Sequence, residues 1–304
     1  MRKVMSMRDA VSSFVHDGDS VYISGFTHLI DFSAGHEIIR QGRKDLELIR
    51  MTPDLVYDQM VAAGTASKLV FSYLGNPGVG SLHCIRRSVE MGEPLKVKLE
   101  EYTHGSLISA LHAGGAKIPF FPVNAVGSTD LPMHNHNYRY VTDPFTGKSV
   151  LVVKPINPDV AIIHVQRADE QGNSQLWGIM GEQKELAFAG KRVIVAAEEI
   201  VGSEVIKGDP NRTIVPGIAV DAVVHDPWGA HPSYVQGFYD RDNQFYLEWD
   251  RISRERRSIE EYLQEWVYGV NDRGEYLDKL GREKTDKLRM KRRNVAPINW
   301  GSVA

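Results

Sequence analysis

Apolar positions along the chain switch repeatedly between helical and strand spacing. Ala10, Val11, Phe14 and Val15 share one helical face over Met7–His16, and Asp17-Gly18-Asp19 ends that run. Val21–Phe26 follows as a short buried strand closed by Gly25. The same alternation predicts a helix over Ala34–Gln41 with Gly42 as its stop, and a strand over Asp45–Met51. A helix over Asp54–Ala63 and a strand over Lys68–Leu74 come next. The run Gly75-Asn76-Pro77-Gly78-Val79-Gly80 fits neither element and is a loop. Leu82–Met91 and Thr103–Ala113 are predicted helices flanking a strand at Val97–Tyr102, with Thr103 placed as an N-cap.

The period weakens over Pro132–Lys148, which is predicted to be a long loop containing a hairpin. Strand patterns return at Val150–Pro155, Val160–Gln166, Val193–Ala197 and Ala219–His225, with a helix over Glu182–Ala189. Ile252–Gly269 has helical spacing and many charges, and Glu283–Ala304 is expected to be a loosely held basic tail. Short elements in alternation point to an α/β fold, a mostly parallel sheet with helices on both faces. The expected organisation is a main domain over 1–250 and a helical extension with a basic tail over 251–304.

Composition narrows the class of function. Apolar residues make up 42% and charged residues 25%, the ordinary balance of a soluble globular chain. A net charge of −3 provides no general attraction to nucleic acid or to an anionic membrane. The single cysteine, Cys84, excludes an internal disulfide. The first ten residues carry Arg2, Lys3, Arg8 and Asp9 without an apolar signal core, so a cytoplasmic protein is expected.

Several motifs fail on inspection. Residues 142–149 (Thr-Asp-Pro-Phe-Thr-Gly-Lys-Ser) approach a phosphate-binding loop, but Thr142 replaces the first glycine and a strand-like run follows. His134-Asn135-His136 lacks the accompanying ligands of a metal site, and no residue set shows metal-ligand spacing. Cys84 lies in a helical turn with His83 beside it, and neighbours in sequence do not face each other on a helix.

Leu99–Pro122 is more informative. Glu100 and Glu101 end a strand, and Thr103-His104-Gly105 opens a helix. In an open α/β sheet, ligands lie beyond the carboxyl ends of strands, where helix N-termini point. A neutral imidazole there can donate a hydrogen bond to a developing oxyanion or act as a base. Spacing alone favours the plainer alternative, a solvated first-turn histidine and two glutamates covering a strand end.

The motifs resemble those of a known family. Asp17-Gly18, three apolar residues and Ser24-Gly25-Phe26 are similar to the N-terminal signature of class I coenzyme A-transferase α subunits, glutaconate CoA-transferase in particular. His104-Gly105-Ser106-Leu107 through Gly115, then Pro119-Phe120-Phe121-Pro122, continue the likeness. So do Pro158–His164, Val220–Val224 and Gly229-Ala230-His231-Pro232-Ser233. Two departures stand out: Ser24 replaces a usual glycine, and the later Gly-x-Pro is missing.

The resemblance implies a three-layer α/β/α fold and a homologous β subunit, in an α2β2 or related heterooligomer. It also implies CoA as a substrate with no tightly bound cofactor. In that family the thioester is attacked by a glutamate of the β subunit, and the reaction passes through an anhydride and an enzyme–CoA thioester. This chain would then contribute His104 and Glu101 to catalysis, and Ser24, Gly25, Phe26 and Asn76 to the pocket. Many relatives carry glutamine at the His104 position, and histidine can also move a proton. A thioester hydrolase, a ring-opening or decarboxylating lyase using His104 or Glu101, and a non-catalytic regulatory or binding component therefore remain alternatives.

Overall fold

The structure is a computed structural model, and it describes residues 3–76 and 78–290. The chain opens with β1 (Val4–Met5), α1 (Met7–Phe14), β2 (Ser20–Ile23), α2 (Phe32–Arg40), β3 (Leu46–Ile49) and α3 (Leu55–Ala62). β4 (Ala66–Phe71), α4 (His83–Met91), β5 (Lys98–Glu101) and α5 (His104–Ala116) continue it. A small middle segment holds β6 (Phe121–Pro122), α6 (Leu131–His134), β7 (Tyr138–Thr142) and β8 (Ser149–Val153). Next come β9 (Val160–Ala168), β10 (Ser174–Gln175), α7 (Gln183–Ala189), β11 (Arg192–Ile200), α8 (Ser203–Gly208), β12 (Thr213–Val215) and β13 (Ala222–His225). Helices α9 (Asn243–Ile252), α10 (Arg256–Leu263), α11 (Arg273–Leu280) and α12 (Arg282–Leu288) close the described chain.

The central sheet has the order β1-β13-β11-β9-β2-β3-β4-β5, and each of these neighbouring pairs is parallel. β10 and β12 add a small antiparallel margin beside β9. β9 reads Val-Ala-Ile-Ile-His-Val-Gln-Arg-Ala and is buried on both faces, as a central parallel strand requires. β5 lies at the outer edge and carries Lys98, Glu100 and Glu101, charges that discourage edge-to-edge pairing.

Alternate residues of β2 enter different cores. Val21 and Ile23 pack with α1, α2, α3, α4, α9 and α10, whereas Tyr22 packs with α5, α7 and the β6-β8-β7 sheet. The expected three-layer α/β/α arrangement and mostly parallel sheet are present. The first four helices cover one face while the chain advances from β2 to β5. α5 then crosses to the other face, and the chain returns to place β9 against the opposite side of β2. The direction of winding therefore reverses between β2 and β9.

Several sequence expectations need correction. The 252–269 run is not one helix: Ser253 caps α9, α10 begins at Arg256, and residues 264–268 form one π-helical turn. Tyr246, Trp249, Ile259 and Tyr262 from these helices lie in the main core. The expected loose tail is held as far as Met290, where α12 is followed by backbone bonds from Asp240 N to Leu288 O and from Met290 N to Phe238 O. Residues 291–304 lie outside the described residues. The loop resembling a phosphate-binding motif is the turn of the β7–β8 hairpin, with Asp143 accepting from Phe145 N and from the Thr146 hydroxyl.

Three buried histidines are kept neutral by the packing. Burial pushes His28 and His36 each down to about 3, and His231 to about 4 despite the Asp242 carboxylate beside it. Depressed histidines take up protons in the unfolded chain first, so stability is fully present above about pH 6.5 and is lost as pH falls toward the folded values. Urea titrations between pH 7 and pH 5 should show stability falling by up to about 1.4 kcal/mol per pH unit for each such histidine. The His36→Gln variant should have a shallower slope, and an unchanged slope would show that His36 titrates normally.

Candidate active site

The carboxyl ends of β2, β3, β4 and β5 lie along one edge, and the β2–β9 reversal opens a crevice in it. Ser24 N donates to Ile162 O of β9, which carries the pairing one residue beyond β2. The chain then turns sharply. Gly25 has φ +110°, and a Cβ there would sit 2.6 Å from the carbonyl oxygens of His28 and Leu29, so only glycine fits.

That turn leaves three successive carbonyls pointing into a buried space, and one side chain satisfies them. Arg50, at the end of β3 and 1% exposed, donates to Ile23 O at 2.8 Å, Ser24 O at 2.9 Å and Gly25 O at 2.5 Å. Its Nε donates to Thr52 O at 2.8 Å. Arg50 thus joins the ends of two neighbouring strands through a planar fork of donors that no other residue type has.

The Glu182 carboxylate is also buried here, 1% exposed, with neither oxygen hydrogen-bonded among the described residues. Burial raises its pKa, and the Arg50 guanidinium partly opposes that rise. Gly181 packs against Phe26 Cβ, which brings the start of α7 under the β2 turn. His28 ties the same turn to the far bank of the crevice, accepting from Gln236 N at Nε2 and leaving Nδ1–H to donate to Ile179 O.

His104 is the first residue of α5. Thr103 caps the helix by accepting from Ser106 N, and the Ser106 hydroxyl accepts from Thr103 N in return. Ser106 also pairs with the Tyr138 hydroxyl of the hairpin, so the helix start is fixed from two sides. The imidazole is exposed, with Nε2 3.2 Å from Thr52 Oγ1 and the ring 6.0 Å edge-on to Phe26. An imidazole there, on a helix N-terminus and steadied by a hydroxyl, can donate a hydrogen bond to an anionic oxygen.

The structure therefore brings Phe26 and His104 together. Ser24 and Gly25 lie directly behind Phe26, and the Ser24 hydroxyl is buried without a partner among the described residues. Glu101 is exposed at the end of β5 and has no ion-pair partner among the described residues, whereas Glu100 is occupied by Tyr102, Asn137 and Lys68. Asn76 stands apart: its recorded bond is within its own loop, from Val79 N to Asn76 O. That loop is anchored away from the crevice, with Ser81 N and His83 Nε2 both on Asp250 of α9. Arg50, Thr52, Glu182 and His28 were not visible as site residues in the sequence. Cys84 is buried, and burial together with Asp58 pushes its thiol far above the usual range, so it is no nucleophile.

Breaking the Arg50–Glu182 arrangement should be costly. Arg50→Met, which leaves the buried carboxylate and three carbonyls uncompensated, should destabilise the chain by about 3–5 kcal/mol in urea unfolding. Adding Glu182→Gln to that variant should restore part of the loss, and strictly additive effects would show that the two side chains do not interact.

Comparisons with known proteins agree with this geometry. Residues 4–226 match the family profile described as coenzyme A transferase. One of the two subunits of the 3-oxoadipate CoA-transferase of Pseudomonas knackmussii is 47% identical over 284 residues, covering 93% of this chain and 100% of the relative. Glutaconate coenzyme A-transferase from Acidaminococcus fermentans superposes with a TM-score of 0.88 at 32% identity, covering 95% of this chain and 96% of that chain. The decarboxylase AibA/AibB superposes with a TM-score of 0.74 at 29% identity, covering 87% of this chain and 100% of that one.

Proposed function

The chain belongs to the coenzyme A transferase family, and from that premise we propose that it is the α subunit of a two-subunit enzyme transferring CoA from an acyl-CoA to a carboxylate. The observation that carries this reading is the Phe26–His104 pair at the carboxyl edge, set on a turn that Arg50 makes rigid. The 47% identity to a 3-oxoadipate CoA-transferase chain favours a 3-oxo dicarboxylate as one substrate. CoA is a substrate, and no tightly bound cofactor takes part. Residues 1–250 carry the transferase fold and 251–304 extend it. No helix among the described residues is long and apolar enough to cross a membrane, and the reading places the enzyme in the cytoplasm.

In this mechanism the nucleophilic glutamate comes from the partner subunit. Its carboxylate adds to the thioester carbonyl, negative charge develops on the acyl oxygen, and CoA thiolate departs to leave a mixed anhydride. The thiolate then attacks the glutamyl carbonyl of that anhydride, releasing the acyl group as a free carboxylate and forming an enzyme–CoA thioester. The acceptor carboxylate reverses the sequence. His104 donates to the oxyanion at each addition, while Phe26 fixes the ring edge-on and Thr52 fixes its rotation. Ser24 and Gly25 shape the pocket floor, Glu101 serves proton transfer at its rim, and Asn76 lines the outer approach.

His104→Ala should reduce transfer by about tenfold to a thousandfold, the range for losing one oxyanion donor, while the far-ultraviolet spectrum stays unchanged. His104→Gln should recover most of the rate, since the amide also donates. Transfer at the wild-type rate in the alanine variant would remove His104 from the mechanism.

The covalent route has a direct chemical signature. Borohydride treatment of the two-subunit complex after exposure to acyl-CoA should reduce a glutamyl thioester to the alcohol, a loss of about 14 Da on the partner subunit. Consumption of acyl-CoA without that modification, and without an acceptor, would point to a hydrolase or lyase with His104 or Glu101 as the proton carrier.

A further inference from the structure

A second cluster of buried groups lies beyond the carboxyl ends of β9, β11 and β13, away from the Phe26–His104 pair. It is formed by Asp31, the N-cap of α2; His164 in β9; Glu198 in β11; and Asp226 just after β13. All four are buried, with exposures of 0%, 0%, 5% and 4% respectively.

Most of their polar atoms have partners. Asp31 Oδ1 accepts from Ala34 N, and Asp226 Oδ1 accepts from the Ser33 hydroxyl. Glu198 accepts from the Tyr239 hydroxyl and from Trp228 N, and pairs with His164 Nε2 at 2.9 Å. Three atoms remain without a hydrogen-bond partner among the described residues: Asp31 Oδ2, Asp226 Oδ2 and His164 Nδ1. These are the atoms that converge, all lying within 4.8 Å of one another.

Buried unpartnered polar atoms are costly, and three of them aimed at one point need a common partner. The charges require the same thing. Three buried carboxylates face one imidazole, and the nearby Arg273 donates to the carbonyls of Trp228 and His231. Burial opposes protonation of His164, yet Asp31 and Glu198 lift it to about 10, and burial together with Asp31 lifts Asp226 to about 7. The pocket lacks positive charge.

We infer that Asp31, His164 and Asp226 form a binding site for a divalent transition-metal ion of the Zn²⁺ type, held by Asp31 Oδ2, Asp226 Oδ2 and His164 Nδ1. The donor set of one imidazole and two carboxylates is suited to such an ion, which two carboxylates neutralise fully. A tetrahedral ion with bonds of about 2.1 Å spaces its ligand atoms about 3.4 Å apart. His164 Nδ1 and Asp31 Oδ2 are 3.5 Å apart. Glu198 completes the arrangement: by accepting Nε2–H it fixes the tautomer whose Nδ1 lone pair faces the site, the role carboxylates play behind ligating histidines. Access is available from a cavity of about 540 Å³ lined by Ser33, His36, Asp226 and Arg273, from which water supplies the fourth ligand. The site joins α2 to β9 and β13, and its role is to lock the far half of the sheet to the helix layer.

The test uses the two-subunit complex prepared without chelators, dialysed against Zn²⁺ and desalted. Elemental analysis should find about one zinc per copy of this chain, and zinc should raise the melting temperature by about 5 °C at a hundredfold excess over Kd. Asp226→Asn and His164→Gln should each reduce occupancy at least tenfold and remove the thermal response. If either variant fails to fold, the wild-type titration decides alone. A wild-type complex that retains no zinc and melts at the same temperature with and without it overturns the site. So does zinc retained equally by both variants, which would place the ion elsewhere.

Discussion

The carbonyl groups of Ile23, Ser24 and Gly25 set the terms for the candidate active site. A chain that leaves a buried strand and turns within one residue cannot continue its ladder, so its carbonyls lose the partners the sheet would have given them. Water cannot serve them beneath Phe26, and no neighbouring backbone is in register to do so. Arg50 solves this from the next strand, because its fork is wide enough to reach several oxygens at once. The solution buries a positive charge, and that charge accounts for the tolerance of Glu182 nearby. Phe26, and through it the orientation of His104, inherits its rigidity from this arrangement.

Local pattern was enough to read the alternating half of the fold. Runs such as Val21–Ile23 and Leu46–Ile49 are short, apolar and bounded by glycine or charge, so each declares itself without help from distant residues. Elements whose stability comes from distant partners did not declare themselves. β1 is two residues long and exists because β13, more than two hundred residues later, offers it a parallel edge. The 252–269 period is real, but Ser253 and Arg254 break the helix so that α9 and α10 can both reach the core. The end of the chain looked loose from its charges, yet α12 is held by backbone bonds to residues 238–240, which no charge pattern reveals.

The same division holds for the sites. His104 and Phe26 could be found separately, one as a helix start and one as a strand end, because both positions carry a local signature. Their meeting depends on the strand order β2-β3-β4-β5, which the sequence does not state. Arg50 and Glu182 read as ordinary surface charges at element ends, and only the closed sheet shows them buried. His164 is different. It stands in a run of valine, alanine and isoleucine that must be buried on both faces, and an imidazole there has to be supplied with partners. That constraint was present in the sequence, although the identity of the partners was not, since Asp31, Glu198 and Asp226 come from three separate segments.

The contrast between the two clusters explains why half of an active site can be stable alone. Around His164 every group is enclosed by this chain, so the geometry is complete without a partner. His104 and Glu101 are exposed, on the rim of a crevice whose neighbours Tyr73 and Met180 are exposed apolar side chains. An acyl anhydride survives only where water is excluded, and a hydrogen bond to an oxyanion gains strength from the same exclusion. A rim open to solvent provides neither. The chain therefore fixes the position of its donor but leaves the surrounding medium to be set by whatever covers the rim, and in the proposed enzyme that cover is the subunit bearing the nucleophile. Closure and chemistry then arrive together, because the surface that expels the water also brings the glutamate to the acyl carbon.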